Sequence, residues 1–181
     1  MICLKQIFTV ATLYLIPVIA LLFTGCKDKI WRTEFGERLA LFGHRNWIII
    51  ADSAYPLQSA PGITTINTGE DHLTVVKYVL QEVENASHVS ANILLDAELE
   101  LVPEKNAPGI DRYKTQLQKL LEGKQQHTMM HEDIIAKLDQ TSKLYSVLIL
   151  KTNMTLPYTT VFLELGCAYW DDQKEQDLQR P

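Results

Sequence analysis

Two apolar patterns alternate along the chain. Trp47 to Ala51, Val147 to Leu150 and Val161 to Leu165 are nearly unbroken apolar runs with the length of strands buried on both faces. Gly62 to Asn67 and Val89 to Leu95 read as further strands, with Glu98 to Val102 as a continuation of the latter. Between the runs the period changes to that of a helix. Phe35, Leu39 and Phe42 recur on one face, with Thr33 placed to cap that helix and Gly43 to end it. Asp71 is placed to cap a helix whose apolar face carries Leu73, Val76, Val79, Leu80 and Val83. Asp111 to Glu122 reads as a helix with Tyr113, Leu117, Leu120 and Leu121 inward, and Glu132 to Leu138 as another. Helices alternating with fully apolar strands predict an α/β fold. The expected form is a three-layer sandwich, with a central mostly parallel or mixed sheet flanked by helices. Functional groups in such sheets gather in the loops at strand ends.

The start of the chain follows a different rule. Lys5 precedes an apolar run from Ile7 to Phe23, followed by Thr24-Gly25-Cys26. A basic start, an apolar middle and small residues before a cut site read as a secretory signal. A Cys at that place resembles the lipobox of bacterial lipoproteins, although Phe23 is unusual there; the competing reading is a plain transmembrane anchor. The expected organisation is a signal over 1–25, a lipidated Cys26 with a short linker over 26–32, a domain over 33–170 and a polar tail over 171–181. The protein is then exported and held on a bacterial envelope membrane, each buried methylene of its acyl chains contributing about 0.8 kcal/mol.

Composition narrows the function. The formal net charge is −5 and no basic run occurs, so a nucleic-acid partner is not expected. Of the three cysteines, Cys3 leaves with the signal, Cys26 carries lipid, and Cys167 lies in an apolar run and reads as a core residue. No internal disulfide, metal site or cofactor is expected. Glycine-rich phosphate loops and the Gly-x-Ser-x-Gly elbow do not occur, which weighs against phosphoryl transfer and serine hydrolysis.

Three places remain where chemistry could sit. His44 lies in Gly43-His44-Arg45-Asn46 before the first apolar strand, and Asp52 lies just past its end. An extended strand rises about 3.3 Å per residue, which separates the two by roughly 15–25 Å. They share a small pocket only if the His44 loop folds back or if neighbouring subunits each supply one. His131 opens a helix after Met129-Met130, where a side chain can point into a cleft. Leu156-Pro157-Tyr158-Thr159-Thr160 joins two apolar strands, and Tyr158 offers an apolar face with a hydroxyl.

The order of these pieces resembles the ribose pyranase/fucose mutarotase family. The resemblance rests on Leu41-Phe42-Gly43-His44, Ile48-Ile49-Ile50-Ala51-Asp52, Pro56, Met130-His131-Glu132, and Lys151-Thr152 through Pro157-Tyr158. Glu98-Leu99-Glu100-Leu101-Val102-Pro103 is similar to a segment of the fucose branch, and the likeness runs from about Glu34 to Trp170. It implies that His44 donates a proton, that Asp52 and His131 contact the sugar, and that Tyr158, Thr159 and Thr160 stand at a sugar-binding Tyr-x-Asn. It also implies ring-shaped homo-oligomers, decamers among them, with sites between subunits. The chain departs from the pattern at Thr160, where the family has Asn, at Asn153-Met154, in place of Gly-Glu, and at Ile135, in place of Lys.

The function so implied is the interconversion of ring forms of a free monosaccharide by acid–base catalysis. A sugar-binding lipoprotein without catalysis is the second reading. An envelope structural or assembly protein with a decayed pocket is the third.

Overall fold

A computed structural model of the protein describes residues 30–179. The secretory signal and Cys26 lie outside the described residues. The first helix, α1, covers residues 30–39. It is followed by β1 (Trp47–Ala51), β2 (Ile63–Asn67), α2 (His72–Asn85), β3 (Val89–Asp96), α3 (Glu98–Leu101) and α4 (Ile110–Leu120). Then come β4 (Gln126–Met129), α5 (His131–Thr141), β5 (Val147–Lys151), β6 (Val161–Cys167) and α6 (Asp172–Gln179).

The strands form one sheet in the order β2-β5-β1-β6-β3-β4. β2, β5 and β1 pair in parallel, as do β3 and β4. β6 runs antiparallel between β1 and β3. The sheet is therefore mixed, with one reversed strand near its centre. Alternation splits the core into two. Ile48, Ile50, Leu148, Leu150, Leu163 and Leu165 face α1, α2 and α4, whereas Trp47, Ile49, Val147, Ile149 and Phe162 face Ile134 and Leu138 of α5. Each aliphatic side chain buried this fully contributes about 1.5–3 kcal/mol of transfer free energy. The three-layer α/β arrangement is the one expected from the apolar pattern.

Asp71 caps α2 as its position suggests, accepting a hydrogen bond from the Thr74 N–H. Several local expectations are corrected. Thr33 lies inside α1 rather than at its start, because the helix already includes residues 30–32. There Trp31 is buried and its indole N–H donates to Glu70 at 2.8 Å, while Arg32 makes a bidentate ion pair with the same carboxylate. Gly43 is not the left-handed residue of the following turn; that conformation falls on Arg45, at φ 73°. Glu98 to Leu101 is a short helix rather than an extension of β3. Cys167 ends β6 half-buried instead of in the core, since the sheet runs out beside it. The polar segment after Trp170 forms the exposed helix α6.

Candidate functional site

Strands that run the same way deliver their following residues to one edge of the sheet. β1 ends at Ala51 and presents Asp52; β3 ends on Asp96; β4 ends at Met129, two residues before His131. The loop from Thr152 to Thr160 leaves the same edge after β5 and enters β6, which runs back. These segments enclose a cavity of about 630 Å3, lined by Asp52, Tyr55, Asp96, His131, Tyr158 and Thr160, among others. That volume lies within the range of small-molecule sites.

Each polar group is held by its own local structure. Asp52 makes a short turn in which one carboxylate oxygen accepts the Ala54 N–H at 2.7 Å. The Ser53 N–H donates to the Met154 carbonyl and the Thr152 hydroxyl to the Ala51 carbonyl, both at 2.8 Å, stitching the end of β1 to the later loop. His131 is the first residue of α5. Its backbone N–H donates to both Glu98 carboxylate oxygens, at 3.1 and 3.0 Å, satisfying one of the open donors of the helix start. Its ring Nδ1 lies 3.0 Å from Asp96 Oδ1. The Tyr158 ring stands edge-on to the His131 ring, with centroids 5.8 Å apart.

Tyr158 sits in the left-handed region at φ 55°, one of two non-glycine residues there among the described residues. Its loop is braced from behind. The Thr159 hydroxyl donates to the Leu156 carbonyl, and the Thr159 carbonyl accepts the Tyr113 hydroxyl at 2.9 Å. His72 Nδ1 lies 3.3 Å from the same phenolic oxygen, and its Nε2–H donates to the Ile50 carbonyl at 3.2 Å. Burial lowers the His72 imidazole to about 4, so the ring is neutral in this network.

Burial also raises the Asp96 carboxyl above its ordinary value; the His131 bond works against that rise, and the nearby Glu98 and Asp52 charges add to it. Tyr55 is pushed up to about 12, first by burial and then by Asp96, so its phenol keeps its proton. Among the described residues, the lining includes three carboxylates, from Asp52, Asp96 and Glu132, and no Lys or Arg.

Asp52, His131, Tyr158 and Thr160 are thus brought together, whereas His44 and Thr159 do not line the cavity. Thr159 is fully buried and acts through its loop bonds. His44 is exposed in the turn at the opposite end of β1, where the Gly43 N–H donates to the Asn46 side chain and the Arg45 N–H to the Leu165 carbonyl. Asp96, Glu98 and Tyr55 are members of the site that sequence reasoning did not assign to it. The signal that marks Asp52, a carboxylate directly after an apolar strand, is also present at Asp96 after Ile93-Leu94-Leu95. Among the described residues, no cluster of three His, Cys, Asp or Glu side chains is placed to hold a metal ion.

The model of the RbsD / FucU transport protein family matches residues 26–168. Among solved structures, RbsD of Bacillus subtilis complexed with D-ribose superposes with a TM-score of 0.52 at 19% identity, covering 74% of this chain and 91% of that one. The fucose mutarotase from Streptococcus pneumoniae in complex with L-fucose gives 0.47 at 18% identity, covering 72% and 89% respectively. FucU from Bifidobacterium longum gives 0.47 at 16%, covering 74% and 92%. No curated protein matches the chain.

Proposed function

The chain belongs to the RbsD/FucU family, and from that premise we propose that it interconverts the ring forms of a free, uncharged monosaccharide of the ribose or fucose kind. The observation that carries this reading is the convergence of Asp52, His131, Tyr158 and Thr160 on one cavity from segments far apart in the chain. Carboxylates accept hydrogen bonds from hydroxyls, an imidazole both accepts and donates them, and an aromatic face covers the apolar side of a sugar ring. The lining carboxylates disfavour sugar phosphates and sugar acids, because like charges in a partly desolvated site repel.

Ring opening requires the anomeric hydroxyl to lose a proton and the ring oxygen to gain one; closure reverses both. Imidazole, with an ordinary pKa near 6.5, suits either task without a cofactor. Positioned acid–base groups of this kind contribute about 10² to 10⁴ in rate. In this reading Asp52 orients hydroxyls, Tyr158 covers the ring and Thr160 bounds it. His44, at the far end of its own β1, serves the cavity of a neighbouring copy in a homo-oligomer.

Exchange spectroscopy of D-ribose, L-fucose and related sugars with the full chain in detergent tests the proposal. Acceleration of anomeric exchange for at least one sugar, lost in Asp52→Asn, is expected; no acceleration with any sugar overturns it. A second reading, sugar binding without catalysis, draws on the placement of His44 outside the cavity and on Thr160 standing where the family has Asn. It predicts saturable sugar binding with exchange at the uncatalysed rate.

A further inference from the structure

Of the three carboxylates that line the cavity, Asp96 is the buried one. Asp96 is 1% exposed, with Oδ1 on His131 Nδ1 and Oδ2 buried without a partner among the described residues. A lone buried carboxylate oxygen costs folding free energy, and burial already disfavours the charged form of this residue. Tethering α5 does not account for it. Glu98 already holds the start of that helix through the His131 backbone N–H. What Asp96 adds is contact with the imidazole ring itself. A carboxylate accepts only from a ring N–H, so this contact selects the tautomer with the proton on Nδ1. The opposite nitrogen, Nε2, then carries the lone pair and has no protein partner among the described residues, while the ring lines the cavity.

We propose that Asp96 is a positioning residue that fixes His131 as the Nδ1–H tautomer, so that His131 Nε2 takes the anomeric proton of the bound sugar. The inference rests on the mutarotase reading above. In the opening step the O1–H proton passes to Nε2 and the C1=O1 bond forms. The C1–O5 bond breaks with its electron pair going to O5, which takes a proton from the donor, His44 of a neighbouring copy. Closure reverses each transfer and returns the proton from His131. The imidazolium formed midway is stabilised by the Asp96 charge, which the low surrounding dielectric strengthens.

The test uses the full chain in detergent, labelled with 15N, and reads both sugar exchange and the imidazole nitrogen shifts. His131 signals are assigned by their loss in His131→Gln. In the parent, Nδ1 is expected to carry the proton and Nε2 to be bare. Asp96→Asn, a neutral near-isostere, is expected to keep its thermal midpoint, move the ring proton towards Nε2 and slow exchange by about tenfold or more. His131 found as the Nε2–H tautomer in the parent overturns the inference, as does an Asp96→Asn chain that exchanges sugar at the parental rate. A parent that accelerates no sugar defeats the mutarotase reading instead, and with it this role for Nε2. The parental nitrogen shifts separately decide whether Asp96 selects the tautomer.

Discussion

At the scale of the residue, the site depends on groups placed at a cost. Tyr158 occupies a backbone region that costs a non-glycine residue about 1–3 kcal/mol, and the bonds through Thr159 and Tyr113 hold it there. Behind it, burial holds His72 in its neutral form. Its folded pKa of about 4 lies below the ordinary 6.5, so between these values the unfolded chain binds more protons than the folded one. His72 therefore destabilises the fold progressively as pH drops from 6.5 to 4, by about 3 kcal/mol over the window, and has no such effect above 6.5. The raised Asp96 carboxyl acts in the opposite direction, because its folded form takes up a proton first as pH falls. The contribution of His72 is thus read from a comparison. Urea midpoints measured from pH 7 to pH 4 are expected to fall less steeply in His72→Gln than in the parent; equal slopes refute the assignment.

At the scale of the element, legibility followed apolar continuity. Trp47–Ala51 and Val147–Lys151 are strands within a residue of where the pattern placed them, because both faces of the sheet there are covered. β4 was invisible for the opposite reason. Its residues, Gln126-His127-Thr128-Met129, are exposed or half-buried, and it exists through backbone pairing with β3 at the sheet edge. That pairing sets Met129 opposite Asp96, and thereby His131 beside it. The start of β2 shows a tighter constraint. A Cβ on Gly62 would stand 2.4 Å from the Ser142 carbonyl oxygen and 3.0 Å from that of Tyr145, both backbone atoms at the turn after α5. Gly62→Ala is expected to destabilise the fold by about 1–3 kcal/mol through overpacking, seen as a lower urea midpoint. An unchanged midpoint means that the 142–145 turn yields without strain.

At the scale of the whole molecule, the decisive fact is the length of β1. His44 precedes it and Asp52 follows it, and the intervening strand is extended, paired with β5 from Trp47 to Ala51 and with β6 from Trp47 to Ile50. One chain cannot close both residues around one sugar. If the assembly is head-to-tail, each complete site takes His44 from one copy and Asp52 from the next. Subunits of His44→Ala and Asp52→Asn, each impaired alone, are then expected to recover activity when dissociated and reassembled together. Random mixing in equal amounts restores about one site in four under such an interface. Recovery of none, measured by sugar exchange, rules out a shared site.

The amino-acid sequence by itself determined the class of fold, the positions of the apolar strands and the cap at Asp71. These follow from periodicity and local propensity, which are properties of contiguous residues. It also carried the distance between His44 and Asp52, since the rise of a strand needs no tertiary information. The tertiary structure decided which strand runs backwards, how β4 is registered on β3, and therefore that Asp96 and Glu98 grip His131 through its ring and its backbone. Contacts of that kind join residues more than thirty positions apart. They depend on strand order and register, and these are chosen by the burial of the whole core rather than by any segment within it.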